Sequence, residues 1–254
     1  RNREDWIQTR ETELLPVPYF HVVFTLPEVL NKTALHEPKM LYDTLFETAW
    51  ETLQTFGKNK NLQMGMIAVL HTWGQNLSLH PHLHCIVPGG GVDENGAWKN
   101  IKNDGKFLFS VKALSKVFRA KFCEKLKANL KDKFNENQEN EYEKIRQSLW
   151  EKPWVVYAKK PFGSPKSVVE YLGRYTHKIA ISNGRIRGID DKTVTFDYKD
   201  YRQKGIKKQM VLSHEEFIRR FAMHILPKRF VKIRHYGFLS STWKRKKLKT
   251  LQQN

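Results

Sequence analysis

Two apolar runs lying close together constrain this chain more than any other feature. MGMIAVLHTW (Met64–Trp73) and HLHCIV (His82–Val87) both read as buried strands, short and bounded by turn residues. The polar loop between them, with Gly74 and Asn76, is short enough to make the two strands antiparallel neighbours. The second run carries His82 and His84 two positions apart. Side chains alternate along a strand, so both imidazoles point to one face and Cys85 to the other. Two imidazoles on one rigid strand make half of a metal site. His71, at the end of the first run, is the natural third ligand, and Gln75 in the loop is the next candidate. His80 shares the face of His82 and His84 if the strand extends that far back. An HxH pair alone is a weak signal, but four histidines between His71 and His84 are harder to assign to chance.

The rest of the chain supplies partners for such a hairpin. YFHVVFTL (Tyr19–Leu26) reads as a buried strand stopped by Pro27, and a helix is expected from about Lys39 to Thr55. The segment PGGGVDENGAW reads as a turn-rich connection. Ser110 is placed to cap a helix running to about Phe134, with Val111, Leu114, Phe118, Phe122, Leu126 and Leu130 on one face. NENQENEYEK reads as a loop or an exposed helix start, and WVVYA (Trp154–Ala158) as a strand. Ser167 and Glu170 fit a capping box for a helix to about His177. IAIS, RIRGI and TVTFDY, separated by turns at Asn183-Gly184 and Asp190-Asp191, read as a small antiparallel meander. Ser213 and Glu216 form a second capping box, opening EEFIRRFAMHIL, whose Phe217, Phe221 and Ile225 look like helix core. The expected fold is α+β: a central antiparallel sheet flanked by helices, a small β-meander and a basic helical C-terminal part. Residues 1–182 and 183–254 are the expected divisions, or one continuous domain.

Charge narrows the function. Lys plus Arg is 45 against 26 for Asp plus Glu, a net +19. Such an excess repels itself unless a polyanion shares the surface, and nucleic acid is the usual one. No apolar run approaches the roughly 20 residues that span a bilayer, and the opening RNREDWIQTR lacks the apolar stretch of a secretory signal. Two cysteines, Cys85 and Cys123, leave no disulfide framework and no four-cysteine zinc site. The expectation is a soluble cytoplasmic protein with no membrane partner.

A second set of reactive groups lies in YLGRY. Tyr171 and Tyr175 stand at i and i+4, on one helix face, among the cations Lys166, Arg174 and Lys178. A phenol is a poor nucleophile at its usual pKa of about 10, and nearby positive charge favours the phenolate. A tyrosine nucleophile, a metal on facing histidines and a basic surface together suit phosphodiester transesterification. Core aromatics are the plainer reading, since Val168 and Leu172 continue an apolar stripe. Arg185 and Arg187 alternate along a strand, either as a phosphate-contacting ridge or as a solvated face. There is no G-x-x-x-x-G-K-[ST] loop, no G-x-G-x-x-G opening a helix and no HExxH, which excludes a P-loop NTPase and argues against a dinucleotide enzyme and a zincin.

Taken in order, LLPVPYFHVVFTLP, HTWGQNLSLHPHLHCIVPGGG, VEYLGRYTHKIAISNGRI and EEFIRRFAMHILPKRFVKIRHYGF resemble the IS-ninety-one family of rolling-circle transposases, in the two-tyrosine branch of the HUH single-strand nucleases. The resemblance implies a ferredoxin-like nuclease core, with His82 and His84 as the HUH histidines and Tyr171 and Tyr175 as the two tyrosines. It implies Mg²⁺ or Mn²⁺ as the working ion and single-stranded DNA as the partner, nicked through a covalent 5′-phosphotyrosine. It leaves the third ligand unsettled, and His71 is the choice on geometry. Family members commonly begin with a cysteine-rich zinc-binding segment, which this sequence lacks. A rolling-circle replication initiator or relaxase would use the same residues. A non-catalytic or domesticated nucleic-acid-binding protein would keep the charge and form no adduct, and a zinc hydrolase of small substrates would not need the tyrosines.

Overall fold

The hairpin forms as its sequence predicts and becomes the middle of a five-stranded sheet. This computed structural model describes residues 14–101, 108–131, 136–158, 167, 168, 170, 171, 173 and 180–243; of residues 131, 136–142 and 202 the backbone alone is described. Strands β1 (Tyr19–Thr25), β2 (Gly65–Trp73), β3 (Leu79–Pro88), β6 (Val156–Ala158) and β10 (Ile233–Gly237) make the sheet, in the order β10-β2-β3-β1-β6. Every neighbouring pair is antiparallel. Between them, β4 (Gly90–Val92) and β5 (Trp98–Asn100) form a separate hairpin from the turn-rich segment.

Alternation gives the sheet two different faces. Phe20, Val22, Phe24, Met66, Ala68, Leu70, Leu83, Cys85 and Val87 pack on one side in the larger hydrophobic core. The helices covering it follow a short α1 (Asn31–His36): α2 (Pro38–Lys58) brings Leu41, Leu45, Phe46, Ala49 and Leu53, and α3 (Val111–Lys131) brings Leu114, Phe118, Phe122 and Leu126. These are the apolar stripes read from helical spacing. Each Leu or Phe side chain so buried contributes roughly 1.5–3 kcal/mol. Ser110 begins α3 with its carbonyl accepting from Leu114 N at 2.9 Å. The opposite face carries Tyr19, Ile67, Val69 and Ile86, covered by Leu14, Leu15, Val168, Phe238 and Leu239. His21, His71, His82 and His84 have the parity of that second face.

The acidic stretch read as a loop or a helix start opens α4 (Glu136–Glu151), which is held by Leu149, a buried residue, and by Trp154 Nε1 donating to the Leu149 carbonyl at 2.9 Å. Three segments depart from the sequence reading. IAIS is not a meander strand: Ala180 and Ile181 lie in a bend, buried in a third small core. The meander is instead β7 (Ile186–Ile189), β8 (Thr193–Asp200) and β9 (Ile206–Ser213). The missed strand, IKKQMVLS, alternates, turning Met210 and Leu212 inward against α5 (His214–Ala222). That helix begins at the predicted box, Ser213 Oγ accepting from Glu216 N at 3.3 Å, but stops at Ala222. Phe217 and Phe221 pack inward as expected, whereas Ile225 lies beyond the helix and is 71% exposed.

The basic C-terminal segment also differs from its expected helical character. Ile233–Gly237 pairs with β2 and forms an edge of the central sheet. Its charge is used structurally: Arg234 pairs with Asp43, and its guanidinium lies 4.2 Å from the centre of the Phe46 ring. The small sheet is tied to the hairpin tip by Leu77, which is fully buried in the third core at φ 62. Left-handed backbone disfavours a branched side chain, so burial and hydrogen bonds hold it there: Leu77 N donates to Gly74 O, and its carbonyl lies 3.2 Å from His224 Nε2.

Candidate active site

Cross-strand register assembles the histidines. His71 faces His82 directly across β2 and β3, and His84 lies two residues further along the same face. The register shifts between His71 and Trp73, where the hairpin tip begins. One ligating nitrogen from each of His71, His82 and His84 falls within 4.8 Å of the others. His71 is buried, and its ring stacks on Trp73 with centroids 4.4 Å apart. His82 and His84 bring their Nε2 atoms to 3.2 Å. Two metal–nitrogen bonds of about 2.1 Å at 90–109° would span roughly 3.0–3.4 Å, so this spacing suits two ligands of one ion.

His82 is prepared as a neutral ligand. His82 Nδ1 lies 2.6 Å from the His80 carbonyl oxygen. A carbonyl can only accept, so Nδ1 carries the proton and Nε2 presents a lone pair. Burial pushes the His82 pKa down to about 4, which keeps the ring uncharged at neutral pH. Three imidazoles fit a divalent first-row ion, leaving open positions for water or phosphate oxygen. His80 is exposed as a residue and supplies its backbone carbonyl to this arrangement, its ring lying 5.2 Å from that of His82, centroid to centroid. The Gln75 carbonyl accepts from Arg185.

The tyrosine helix covers the same face. Ser167, Val168, Glu170, Tyr171 and Gly173 are helical, Ser167 included, although the sequence reads it as the cap. Val168 is fully buried and Tyr171 packs beside it in the second core. The Tyr171 ring lies 6.4 Å from that of His84, centroid to centroid. Its hydroxyl reaches a residue that sequence reasoning passed over. His21, on β1, is buried, with Nε2 2.9 Å from His84 Nδ1 and 3.1 Å from Tyr171 Oη. The signal was present: a histidine interrupts the apolar run YFHVVFTL. Its face became readable only from the register of β1 against β3.

The other sequence candidates divide. Tyr175, Lys166, Arg174 and Lys178 lie outside the described residues. Arg185 is half-buried, its Nε donating to the Asp197 carbonyl at 2.8 Å and its guanidinium near the Phe196 ring. Arg187 pairs with the Asp197 carboxylate, Nε to Oδ2 2.6 Å. Both arginines therefore have partners within the small sheet. Cys85 is buried on the far face, and burial raises its thiol pKa, away from nucleophile chemistry.

An antiparallel sheet thus sets three convergent imidazoles, grouped as ligands of one ion could be, beneath a tyrosine-bearing helix. Residues 65–247 match the family model Y2_Tnp, described as "Putative transposase", and the chain belongs to that transposase family. The transposase resemblance read from the motifs is thereby borne out. Over 257 residues the chain is 43% identical to "Putative transposase y4qJ" of Sinorhizobium fredii, covering 97% of this chain and 64% of that protein. Over 246 residues it is 29% identical to "Transposase for insertion sequence element IS801" of Pseudomonas savastanoi pv. phaseolicola, covering 94% and 58%. The chain thus spans about three fifths of the length of these curated relatives. Among solved structures, the metal-bound conjugative relaxase TrwC in complex with oriT DNA aligns over 44% of this chain and 43% of its own. The identity is 14% and the TM-score 0.33. No helix among the described residues is long and apolar enough to cross a membrane.

Proposed function

We propose that this chain nicks and rejoins single-stranded DNA by transesterification, with Tyr171 as an attacking phenol and Tyr175, four positions on in the sequence, as the second. The observation that carries the proposal is the seating of the Tyr171 hydroxyl beside His21, which is itself bonded to His84 of the imidazole cluster. His71, His82 and His84 would hold the ion. When bound, that ion would polarise a non-bridging phosphate oxygen and offset charge developing at phosphorus. Three imidazoles favour Mn²⁺ over the oxygen-preferring Mg²⁺ in affinity, although either supports this chemistry.

The tyrosine oxygen attacks phosphorus in line, forming a phosphotyrosine bond as the bond to the 3′ oxygen breaks. The phenolic proton leaves the tyrosine, and the departing 3′ oxygen takes up a proton to become a hydroxyl. Bond energy is conserved, so the reverse attack by a 3′-hydroxyl rejoins the strand without ATP. A second phenol lets one strand remain attached while another is attacked. The net charge of +19 supplies the sequence-independent grip on phosphate. Single-stranded DNA at element ends and targets, and work in the bacterial cytosol at the nucleoid, follow from the same reading.

The test incubates the chain with labelled single strands covering the DNA that flanks its gene, with Mn²⁺, Mg²⁺ or EDTA, and resolves adducts on denaturing gels. A covalent adduct that requires the ion, falls in His82→Ala and disappears in the Tyr171→Phe, Tyr175→Phe double variant is the expected result. Metal-independent binding with no adduct would replace this reading with that of a DNA-binding protein.

A further inference from the structure

The larger core and the third core do not close completely against each other, and a pocket of about 330 Å³ opens in the seam. Leu70 and Leu226 line it from the larger core, Ala180 and Phe221 from the third, and Trp73 completes the apolar wall. That volume is at the small end for ligand sites and admits one flat heterocycle rather than several. Trp73 also ties the pocket to the candidate active site, because its ring stacks on that of His71. β10 stops pairing at Val69, and Leu70 N donates to the Lys232 carbonyl at 2.9 Å. Among the described residues no strand covers that edge of β2 from His71 onwards, so a nucleotide chain can cross it from the imidazoles to the pocket.

The polar groups of the pocket differ in what they have left to offer. His224 uses both ring nitrogens within the protein: Nε2 donates to the Leu77 carbonyl, and Nδ1 accepts from Thr72 Oγ1 at 3.2 Å. Lys232 is half-buried, and burial alone pushes its pKa down, with no carboxylate offsetting the loss of hydration. An anion beside it would supply that partner. Lys228 and Arg229, exposed on the segment joining Leu226 to Lys232, make the approach basic. Ile225 also lines the pocket and is left exposed, an apolar surface that a bound ring would cover. An apolar slot beside an unpaired cation matches a nucleotide, with the ring inside and the phosphate at the mouth. We infer that this pocket receives one unpaired nucleobase of single-stranded DNA, stacked against Trp73 and Phe221 with its phosphate on Lys232, and so sets which phosphodiester lies over the imidazoles. With His224 and Thr72 bonded to each other, stacking holds the ring, and the presence of a base matters more than its identity. The register rests on the proposed nuclease reading, whereas capture of the base requires only that single-stranded DNA binds.

The test measures binding of the full chain to the labelled single strands in EDTA, by fluorescence anisotropy, replacing one nucleotide at a time with an abasic unit. One position should stand out, its abasic form binding about 5–150-fold more weakly, the range for a single stacked base. That penalty should largely vanish in Trp73→Ala and in Phe221→Ala, each checked for folding by circular dichroism. Lys232→Gln, a milder change, should weaken binding of the intact strand and reduce the salt slope by about 0.7. Penalties spread evenly along the strand, a full penalty in the folded Trp73→Ala chain, or an unchanged slope in Lys232→Gln would each overturn the inference. Adduct gels separate it from the nuclease reading, since Phe221→Ala and Lys232→Gln should still cut, but at scattered positions. A chain that captures the base and forms no adduct keeps the pocket and discards the nuclease reading. Cutting at one phosphodiester in every pocket variant does the reverse, and a chain that binds no strand discards both.

Discussion

Gly237 shows how narrowly single residues are specified next to the site's supporting strands. It has φ +58, and a Cβ built there would lie 1.9 Å from the Met64 carbonyl oxygen and 2.7 Å from the Trp50 ring. Both the left-handed backbone and the contact require glycine, so Gly237→Ala should cost more than about 2 kcal/mol in denaturant unfolding. A loss below about 0.5 kcal/mol would mean that β10 does not seat against β2 as described. At this scale the sequence was informative where spacing alone sets direction. His82 and His84 share a face because strands alternate, and His71 follows once the hairpin is paired. His21 was not legible, because its place depends on how a strand far away in sequence registers against β3. The two arginines on RIRGI were read as a phosphate-contacting ridge or a solvated face, without their partner. Their alternation was visible, but Asp197, which holds both, comes from the neighbouring strand.

Among the elements, α5 offers the clearest test of local coding. Ser213→Ala removes the acceptor for Glu216 N and should lower stability by about 1 kcal/mol, measured by urea unfolding. Glu216 is itself held down to a pKa of about 2, chiefly by Arg219, with Arg220 second. A depressed carboxylate pKa stabilises the folded chain above its ordinary value near 4.5, and that contribution fades as pH falls towards 2. Glu216→Gln should therefore flatten the acid limb of the stability curve within that window, and leave the slope above pH 5 unchanged. The groups are exposed, so the effect should be small and should shrink in high salt. Strong periodicity made α2, α3, β2 and β3 readable from sequence. The β9 strand was missed because its lysines mask the inward Met210 and Leu212. β10 was misread because Lys232, Arg234 and His235 resemble a solvated tail. Arg234 is instead satisfied by Asp43 and by the aromatic rings beneath it.

For the whole molecule, the division of labour follows the two faces of one sheet. One face is closed by α2 and α3 and holds the larger core, which leaves the other to carry the imidazoles and the Tyr171 phenol. The charge excess was legible at once, and its consequence is measurable. Binding of single-stranded DNA should weaken with salt along a straight log–log line, with a slope of roughly −0.7 per phosphate neutralised. A slope near zero would remove the electrostatic basis for a nucleic-acid partner. The α+β class and the antiparallel sheet were readable because hairpins are local. The pairing of β10 with β2 was not, since it joins segments separated by most of the chain's length.

The central claim is that a tyrosine beside the imidazole cluster takes the 5′ phosphate of a nicked strand, and polarity mapping tests it most directly. A single-stranded substrate would carry different labels at its two ends, and the adduct formed with Mn²⁺ would be digested and sequenced by mass spectrometry. The account predicts that the 3′-end label travels with a peptide modified at Tyr171 or Tyr175. It also predicts a released 5′-labelled fragment that ends in a 3′-hydroxyl a polymerase can extend. An adduct carrying the 5′-end label, or cleavage that leaves a free 5′ phosphate with no modified tyrosine, would contradict it.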